Sequence, residues 1–561
     1  MNAQLDAEDI LERLDPEQRE AALSLNGPTC ILAGAGSGKT RTITHRIAYG
    51  IAKGYYAANR VLALTYTNRA AGELRQRLRD LGAAGVQVKT FHAAALSQLE
   101  YFWPQFAGVP APLVLESKLR LLGDCAKKLG IGLDSVGLKE LAAEIEWRKY
   151  SMLSMEQYRV KAETRPGIAN LSIDQVVALQ EAYEEEKIRL QRLDWEDVIL
   201  LTIGLLRAEP LALSHVQQQY RFFTVDEYQD ISPLQHALLD VWLGDHDDLC
   251  VVGDPNQTIY SFTGATSDFL RNFDQRYDDA KVVQLTTNYR STQSIVNAAN
   301  RVVRDNSLMD ALTAVGEVGA PVSVSNFDNN QAEAAALADA IAGDLAAGVK
   351  PHEIAVLYRV NGQSDVFETA LAERGIAYQL RGGERFFNRS EIARAMAAIR
   401  AEAVTNSNPN KSLYEAVSDV CRSLGWTARK PDHTGAELER YESLSALLAI
   451  VDEMPEGATI AQFAAELEER KRSQHEPLTA SVTLSTIHAA KGLEWSVVYL
   501  VGAVEGYLPI GYASSDAEIA EERRLFYVAV TRAKKRLTIS WAASDGVSGR
   551  IRKPSRFLSL L

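Results

Sequence analysis

The sequence predicts an α/β protein that contains parallel sheets. Short apolar runs at 30–32, 249–252 and 282–285 read as buried strands, and each ends in a polar or glycine-rich loop. Amphipathic stretches typical of helices alternate with these runs. With 561 residues the chain exceeds the size of one hydrophobic core, so we expect two to four domains.

The composition excludes several classes of protein. No run of about 18 apolar residues occurs, and the acidic N-terminus does not resemble a signal peptide, so we expect a cytoplasmic protein without membrane contact. The four cysteines are far apart, which argues against zinc sites and disulfides. The net charge of −13 still permits nucleic-acid binding, because a binding channel needs only a local basic lining.

The first predicted strand leads into a glycine-rich loop and then into a predicted helix over 41–52. In such a turn the backbone N–H groups and the helix N-terminus face an anion. A lysine at the end of the loop reaches the terminal phosphates, and the following hydroxyl binds Mg²⁺. The sequence therefore predicts a nucleoside-triphosphate site made by Ala33, Gly34, Ala35, Gly36, Ser37, Gly38, Lys39, Thr40 and Arg41.

A second predicted strand, 221–225, ends in the acids Asp226 and Glu227. Acids at the carboxyl end of a parallel strand are expected to lie beside the phosphate-binding loop. We predict that Asp226 holds Mg²⁺ together with Thr40, and that Glu227 polarises the attacking water. Polar loops at 253–262 and 286–291 follow the next two strands and complete the outline of one site.

Several ordered motifs resemble those of the UvrD/Rep/PcrA family of superfamily 1A DNA helicases. Val-Asp-Glu-Tyr-Gln-Asp at 225–230, Gly-Asp-Pro-Asn-Gln at 253–257 and Asn-Tyr-Arg-Ser at 288–291 are similar to its signatures. Further similarity lies at 14–19, 65–71, 90–92, 486–494 and 527–533. The segments 44–48 and 90–95 most resemble a subgroup, the second UvrD-type paralogue of actinobacteria.

The resemblance implies an α/β fold of two RecA-like P-loop NTPase domains, each with a mainly helical insertion. We expect domain 1A at 1–95 and 195–277, with the helical domain 1B at 96–194. Domain 2A is expected at 278–391 and 481–561, with a reduced helical domain 2B at 392–480.

The resemblance also implies ATP and Mg²⁺ as cofactors and gives further residues roles in ATP hydrolysis. Gln18 would read the adenine, Tyr289 would stack on the base, and Glu494 would contact the ribose. A γ-phosphate sensor and two arginine fingers would complete the catalytic set; these are Gln257, Arg290 and Arg532.

The implied second ligand is single-stranded DNA. Bases stack on aromatic rings without regard to sequence, while polar and basic groups follow the backbone. Phenylalanine at 262 stands where many relatives carry tryptophan, which predicts a weaker grip on bases. The residues that the resemblance assigns to DNA binding are Tyr66, Thr67, Asn68, His92, Tyr260, Phe262, Arg359, Asn361 and His488.

The expected function is ATP-dependent 3′–5′ movement along single-stranded DNA with unwinding of 3′-tailed duplex DNA, in DNA repair or replication restart. The protein would then be associated with the nucleoid and could have repair proteins as partners. Two alternatives stay open: a DNA-stimulated translocase that displaces proteins with little unwinding, favoured by the reduced 2B domain, and an ATP-gated DNA-binding module.

Overall fold

A computed structural model of the chain describes residues 7–165, 167–304, 308–381, 387, 389–405, 411–427, 436–455, 457–473, 481–545 and 551–561. The chain forms two compact units. The first extends to Leu285, apart from Ala35–Ser37, which group with the second unit and its residues from Thr286 onward.

The first unit is built around a six-stranded parallel sheet, as the sequence predicts. Its strand order is β3-β2-β6-β7-β1-β8, and every neighbouring pair is parallel. A separate short pair joins β4 to β5. The strands of this unit are β1 Thr29–Ala33, β2 Val61–Thr65, β3 Gln87–Thr90, β4 Leu113–Val114, β5 Arg192–Leu193, β6 Phe222–Val225, β7 Leu249–Gly253 and β8 Lys281–Leu285.

The helices of the first unit begin at polar caps that the sequence carries in place. Thr67 and Thr90, at the ends of β2 and β3, each accept a backbone N–H three residues on. The helices are α1 Ala7–Glu12, α2 Pro16–Leu23, α3 Lys39–Ala52, α4 Asn68–Asp80, α5 Phe91–Ala107, α6 Lys118–Lys128, α7 Ser135–Tyr150, α8 Met155–Ala162, α9 Ile173–Leu190, α10 Trp195–Ala208, α11 Pro210–Gln219, α12 Pro233–Leu243, α13 Asp268–Arg271 and α14 Phe273–Arg276.

Two separate hydrophobic cores lie among the described residues of the first unit. One packs α1 to α4 against the sheet and includes Ile31, Ile43 and Leu74. The other lies among α6 to α9 and is centred on Leu122, Ile145 and Tyr183. The second core gives the helical segment between β3 and β6 an apolar interior of its own.

The second unit repeats the architecture with the strand order β11-β16-β15-β12-β14-β13, again parallel throughout. A short parallel pair, β9 with β10, precedes this sheet. The strands are β9 Thr287–Asn288, β10 Thr313–Ala314, β11 Ser323–Phe327, β12 Ile354–Tyr358, β13 Tyr378–Arg381, β14 Val482–Thr486, β15 Trp495–Leu500 and β16 Ala533–Ala542.

The helices of the second unit also form two groups. The first group flanks the sheet, and α16 and α17 cover a core that includes Leu337, Val356 and Leu484. The second group, α18 to α21, encloses a separate core around Ile399 and Phe463. The helices are α15 Gln293–Val303, α16 Asn330–Ala346, α17 Ser364–Glu373, α18 Ser390–Thr405, α19 Leu413–Ser423, α20 Ala436–Ala449, α21 Ile460–Ser473 and α22 Asp516–Val530.

The α/β class with parallel sheets is confirmed, but one boundary moves. The sequence predicts that the first α/β domain ends at 277. In the structure β8 pairs with β1 along its whole length and extends the first sheet to Leu285. The sequence of an apolar strand bounded by polar loops does not indicate which of two similar sheets the strand joins. The expected 2B domain, 392–480, covers α19 to α21 and most of α18, and residues 474–480 lie outside the described residues.

Among the described residues, no single helix is long and apolar enough to cross a membrane. The helices α10 and α11 reach that length and composition only as a pair, and they are bent by 108° at their junction.

Candidate functional site

The loop between β1 and α3 has the backbone that phosphate binding requires. Gly36 and Gly38 have φ angles of +73° and +84°, a left-handed conformation that favours glycine. A Cβ on Gly38 would lie 2.6 Å from Gln18 Nε2, and one on Gly36 would lie 2.6 Å from Asn288 Nδ2. The loop therefore needs glycine at both positions for conformation, and at Gly36 also for space, because Arg290 Cβ would lie 2.7 Å from the added Cβ. Gly38 also caps α3, whose first N–H groups are available to an anion.

The residues predicted to hold phosphate occupy the start of α3. Lys39 and Thr40 form the first turn of the helix. The exposed Arg41 directs its guanidinium to the carbonyl of Arg13. Gln18, predicted to read the adenine, is buried in α2, which packs against α3.

The acid pair lies at the carboxyl end of β6, two strands from β1 in the same sheet. Glu227 Oε1 is 3.9 Å from Lys39 Nζ, so the structure brings these two predicted catalytic groups together. Asp226 Oδ1 accepts the backbone N–H of Glu227 at 2.9 Å. Glu227 has a φ of +53°, rare for a residue with a side chain. Such backbone strain is typical of functional positions.

The carboxyl group of Asp226 is poised for a cation. Burial raises its pKa to about 7, and the neighbouring Glu227 adds to the rise. No cluster of three or more His, Cys, Asp or Glu side chains suited to a metal occurs in the described part of the chain. A hydroxyl and a carboxylate, completed by phosphate oxygens and water, are the ligands Mg²⁺ prefers at nucleotide sites. Thr40 and Asp226 therefore fit the implied ion.

Behind the acid pair, a buried amide joins the loops after β6 and β7. Gln229 donates its side-chain amide to Glu227 Oε2, while its Oε1 accepts the N–H of Asp254 at 3.1 Å. Asp254 Oδ2 in turn accepts Gln257 Nε2 at 2.8 Å. The predicted γ-phosphate sensor, Gln257, is thus linked to Glu227 through two residues that the sequence did not single out. Only the alternation of acids and glutamines in both motifs pointed to such a link.

In the second unit, Arg290 and Arg532 lie near each other. Arg290 forms an ion pair with Glu494, and its Nη1 donates to the carbonyl of Thr531 at 3.4 Å. Arg532 is 1% exposed, and its guanidinium donates to Val528 O and Leu493 O, each at 2.9 Å.

The predicted ribose contact, Glu494, also pairs with Lys534 at 2.7 Å. Burial alone would raise the pKa of Glu494, but Arg290 and Lys534 lower it below its ordinary value. Glu494 is therefore a charged carboxylate that bridges the side chains of Arg290 and Lys534. Tyr289, the predicted base-stacking residue, is half exposed.

Three of the predicted DNA-contacting aromatic residues form a group at the carboxyl edge of the first sheet. The rings of Tyr66, after β2, and Tyr260, after β7, are stacked with centroids 5.8 Å apart. The ring centroids of Phe262 and Tyr260 are 6.1 Å apart. Tyr66 and Phe262 are 43% and 55% exposed, so their rings are open to solvent. A base can stack on such rings at about 1–3 kcal/mol.

His92 is joined by two aromatic residues that the sequence analysis missed. Its Nε2 lies 3.1 Å from the hydroxyl of Tyr150, and the ring centroids of His92 and Trp195 are 5.9 Å apart with the ring planes nearly perpendicular. Burial lowers the pKa of His92 to about 4, so the ring is neutral at pH 7. Trp195 is 47% exposed. Its position at the start of α10, directly after a capping aspartate, was the only signal in the sequence.

The other predicted DNA-binding residues differ in their exposure to solvent. Thr67 and Asn68 are exposed at the start of α4, although the Thr67 hydroxyl also caps that helix by accepting Ala70 N at 3.1 Å. In the second unit, Asn361 is exposed in the loop after β12. His488 follows β14, the neighbour of β12, and burial, reinforced by Arg359, lowers its pKa to about 4.

Arg359 has a protein partner that the sequence did not indicate. Its guanidinium holds both carboxylate oxygens of Glu522 in α22, with the shortest distance 2.7 Å from Nη2 to Oε1. Both side chains are largely buried. Any contact between Arg359 and DNA must therefore compete with this pair, and the assignment of Arg359 stays a prediction.

A parallel sheet with a glycine-rich loop after β1, a lysine at the start of α3 and an acid pair after β6 defines a P-loop nucleotide-binding protein. The first part of the chain matches the family model of the UvrD/REP helicase N-terminal domain over residues 14–278. The second part matches the UvrD-like helicase C-terminal domain over 283–431 and 427–544. The chain belongs to the UvrD-like helicase family.

Relatives within this family include proteins named ATP-dependent DNA helicase UvrD2 and ATP-dependent DNA helicase PcrA. The chain is 44% identical to UvrD2 of Mycobacterium tuberculosis and of Mycobacterium bovis, over 98% of this chain and 82% of each relative. It is 28% identical to PcrA of Bacillus subtilis, over 98% of this chain and 86% of that protein. The expected likeness to the second UvrD-type paralogue of actinobacteria is confirmed.

Proposed function

We propose that this chain is an ATP-dependent DNA helicase that moves 3′ to 5′ along single-stranded DNA and unwinds 3′-tailed duplex DNA. The observation that carries the proposal is one sheet edge that holds two kinds of group. The phosphate loop and the Asp226–Glu227 pair follow β1 and β6. The partly exposed rings of Tyr66 and Tyr260 follow β2 and β7 of the same sheet.

The chain's own groups account for ATP hydrolysis. Lys39 binds the terminal phosphates, and Glu227, held by Gln229, orients water for in-line attack. Thr40 and Asp226 would hold Mg²⁺, which would supply charge neutralisation at the phosphates. Gln257 reports the γ-phosphate to Glu227 through Asp254 and Gln229.

Residues of the second unit complete the reaction in this proposal. Arg290 and Arg532 stabilise charge on the transferred phosphoryl group, a contribution of about 10³–10⁵ in rate where such an arginine acts. Both guanidiniums are held by groups of their own unit, Arg290 by Glu494 and Arg532 by backbone carbonyls. These contacts hold them before nucleotide arrives. The remaining nucleotide contacts are Gln18 to adenine, Tyr289 to the base and Glu494 to the ribose.

Single-stranded DNA binds the aromatic group and the polar loops. Tyr66, Tyr260, Phe262 and His92 take bases, with Thr67 and Asn68 at the adjoining helix start. In the second unit Asn361, His488 and, on release from Glu522, Arg359 contact the strand. Opening one base pair costs a mean of roughly 1.4 kcal/mol of stacking, so duplex unwinding is within reach of ATP hydrolysis. The cell would use this activity in DNA repair or replication restart, with the protein in the cytoplasm at the nucleoid and with repair proteins as partners.

The polarity and the unwinding are tested together with labelled duplexes that carry a 3′ tail, a 5′ tail or blunt ends. We expect ATP-dependent strand release from the 3′-tailed duplex alone. The variant Lys39→Ala removes the phosphate-binding ammonium and serves as the inactive control. Release from the 5′-tailed duplex only would reverse the proposed polarity.

A second candidate function is a translocase that displaces proteins and unwinds little. The short helical segment α18 to α21, with its single small core, favours this candidate. Displacement of streptavidin from a biotinylated strand, measured beside strand separation on matched DNA, distinguishes the two. Displacement without strand separation would select the translocase.

A further inference from the structure

Five charged side chains form a buried cluster in the first unit, which we call the ionic cluster. It contains two ammonium groups, Lys149 of α7 and Lys187 of α9, and three carboxylates, Glu184, Asp194 and Asp197. Both lysine Nζ atoms lie 2.8 Å from Asp194 Oδ2. Each also contacts Asp197 and Glu184. The cluster therefore ties the C-terminal ends of α7 and α9 and the start of α10 together.

The centre of the ionic cluster is shielded from water, whereas Glu184 and Asp197 lie at its partly exposed edge. The side chains of Lys149, Lys187 and Asp194 are 3%, 2% and 2% exposed. Burial by itself lowers the pKa of Lys149, but Asp194 and Asp197 outweigh it and raise the pKa above its ordinary value. Burial likewise raises the pKa of Asp194, but the two lysines outweigh it and the net shift is downward. The groups stay charged because each holds the others, and removing one leaves an uncompensated buried charge.

The ionic cluster is adjacent in sequence to two aromatic residues beside the DNA-binding candidates. Tyr150 directly follows Lys149, and Trp195 directly follows Asp194. Tyr150 bonds His92 through its hydroxyl, and the ring of Trp195 lies nearly perpendicular to the same imidazole. The positions of both aromatic side chains are thus set by backbone that the ionic cluster fixes.

We propose that the ionic cluster is a positioning device that sets the affinity of this surface for single-stranded DNA, and that Lys187 acts as a positioning residue without touching the strand. The proposal rests on the proposed function. The alternative, that these lysines bind phosphates themselves, conflicts with their burial and with their existing carboxylate partners. In the proposal the half-exposed ring of Trp195 stacks on a base, and loss of one ammonium lets the start of α10 shift and moves this ring out of position.

The test measures the affinity of Lys187→Met for a fluorescent oligothymidine at several salt concentrations. Methionine keeps most of the length of lysine without its charge. We expect Kd to rise roughly tenfold, comparable to losing one base stack. The slope of log Kd against log salt should stay that of the wild type. A slope that falls by about 0.7 would reveal a direct phosphate contact and overturn the proposal, as would a Kd within about twofold of the wild type.

A double-mutant cycle tests whether Lys187 acts through the aromatic residue. We expect Lys187→Met to weaken binding much less in a Trp195→Ala background, because the ring that it positions is already absent. In ATPase assays the DNA concentration for half-maximal stimulation should rise while kcat at saturating DNA is retained. Fully additive losses in the cycle would contradict the proposal.

Two further variants guard against a simple loss of folding. Asp194→Asn removes the shared charge but keeps a good cap for α10, and we expect the same rise in Kd. Glu144→Gln weakens a different buried ion pair of α7, with Arg165, and should leave Kd unchanged. If the wild type does not bind oligothymidine, the proposed function fails; if it binds and both cluster variants bind equally well, only this inference fails.

Discussion

At the scale of single residues, Glu227 carries the heaviest chemical role. Its backbone is held in a left-handed conformation, and Gln229 and Lys39 contact its carboxylate. These contacts hold the carboxylate beside Lys39. In the proposed function this carboxylate orients the attacking water.

The variant Glu227→Gln is expected to bind ATP and DNA while its turnover falls by at least about 100-fold. The amide keeps the shape of the side chain but cannot accept the proton of water. Steady-state phosphate release, measured beside nucleotide binding, checks the expectation. The matched control is Glu73→Gln, which replaces a partly exposed glutamate of α4. Near wild-type turnover in Glu227→Gln would remove this residue from the catalytic role.

Asp226 predicts a dependence of stability on pH. Its folded-state pKa of about 7 lies above the ordinary 3.8, so folding is increasingly disfavoured as pH rises through that window. Asp226→Asn removes the penalty, and its melting temperature in metal-free buffer should exceed that of the wild type. The excess should be smallest below about pH 4 and should grow as the pH rises to about 7. An equal or lower melting temperature near pH 8 would contradict the raised pKa of Asp226. ATP turnover of the variant should be lost at every pH.

The residues that the sequence could predict are those within motifs, such as Lys39 and Asp226, because local pattern defines them. It could not predict contacts between distant segments. Tyr150 reaches His92 across 58 residues, and Arg359 reaches Glu522 across 163. Nothing in the spacing around either residue indicates its partner.

At the scale of elements, loops at the carboxyl ends of parallel strands bring together residues from separate motifs. The strands predicted at 30–32, 221–225, 249–252 and 282–285 match β1, β6, β7 and β8, since apolar runs bounded by polar or glycine-rich loops define them. The predicted helix over 41–52 begins two residues earlier, at Lys39, because Gly38 caps it. Strand β8 joined the first sheet rather than the second, since an edge strand carries no local mark of its sheet.

The aromatic group after β2 and β7 predicts the behaviour of a double variant. Tyr66→Ala with Phe262→Ala should raise Kd for single-stranded DNA by roughly 10- to 100-fold, because two exposed stacking surfaces are lost. ATP hydrolysis should then proceed with little movement along DNA. Fluorescence titration at fixed salt and a translocation assay measure the two effects. Tyr55→Ala removes an equally exposed tyrosine after α3 and should bind normally. Unchanged affinity in the double variant would exclude these rings from the DNA path.

At the scale of the whole molecule, two units of similar architecture divide the candidate residues. Lys39, Asp226 and Glu227 belong to the first unit, and Arg290 and Arg532 belong to the second. Both units also carry DNA-binding candidates. Because hydrolysis in the proposed function draws on both units, ATP turnover and the hold on DNA are expected to depend on each other.

The most direct test of this dependence is the steady-state ATPase rate of the intact chain with and without saturating oligothymidine. The proposed helicase function predicts that single-stranded DNA raises kcat by roughly tenfold or more. An increase of this size lies well within the contribution of a correctly placed arginine. The variant Arg290→Ala should lose most of that stimulation. Equal rates with and without DNA would contradict the account and would favour an ATP-gated DNA-binding module.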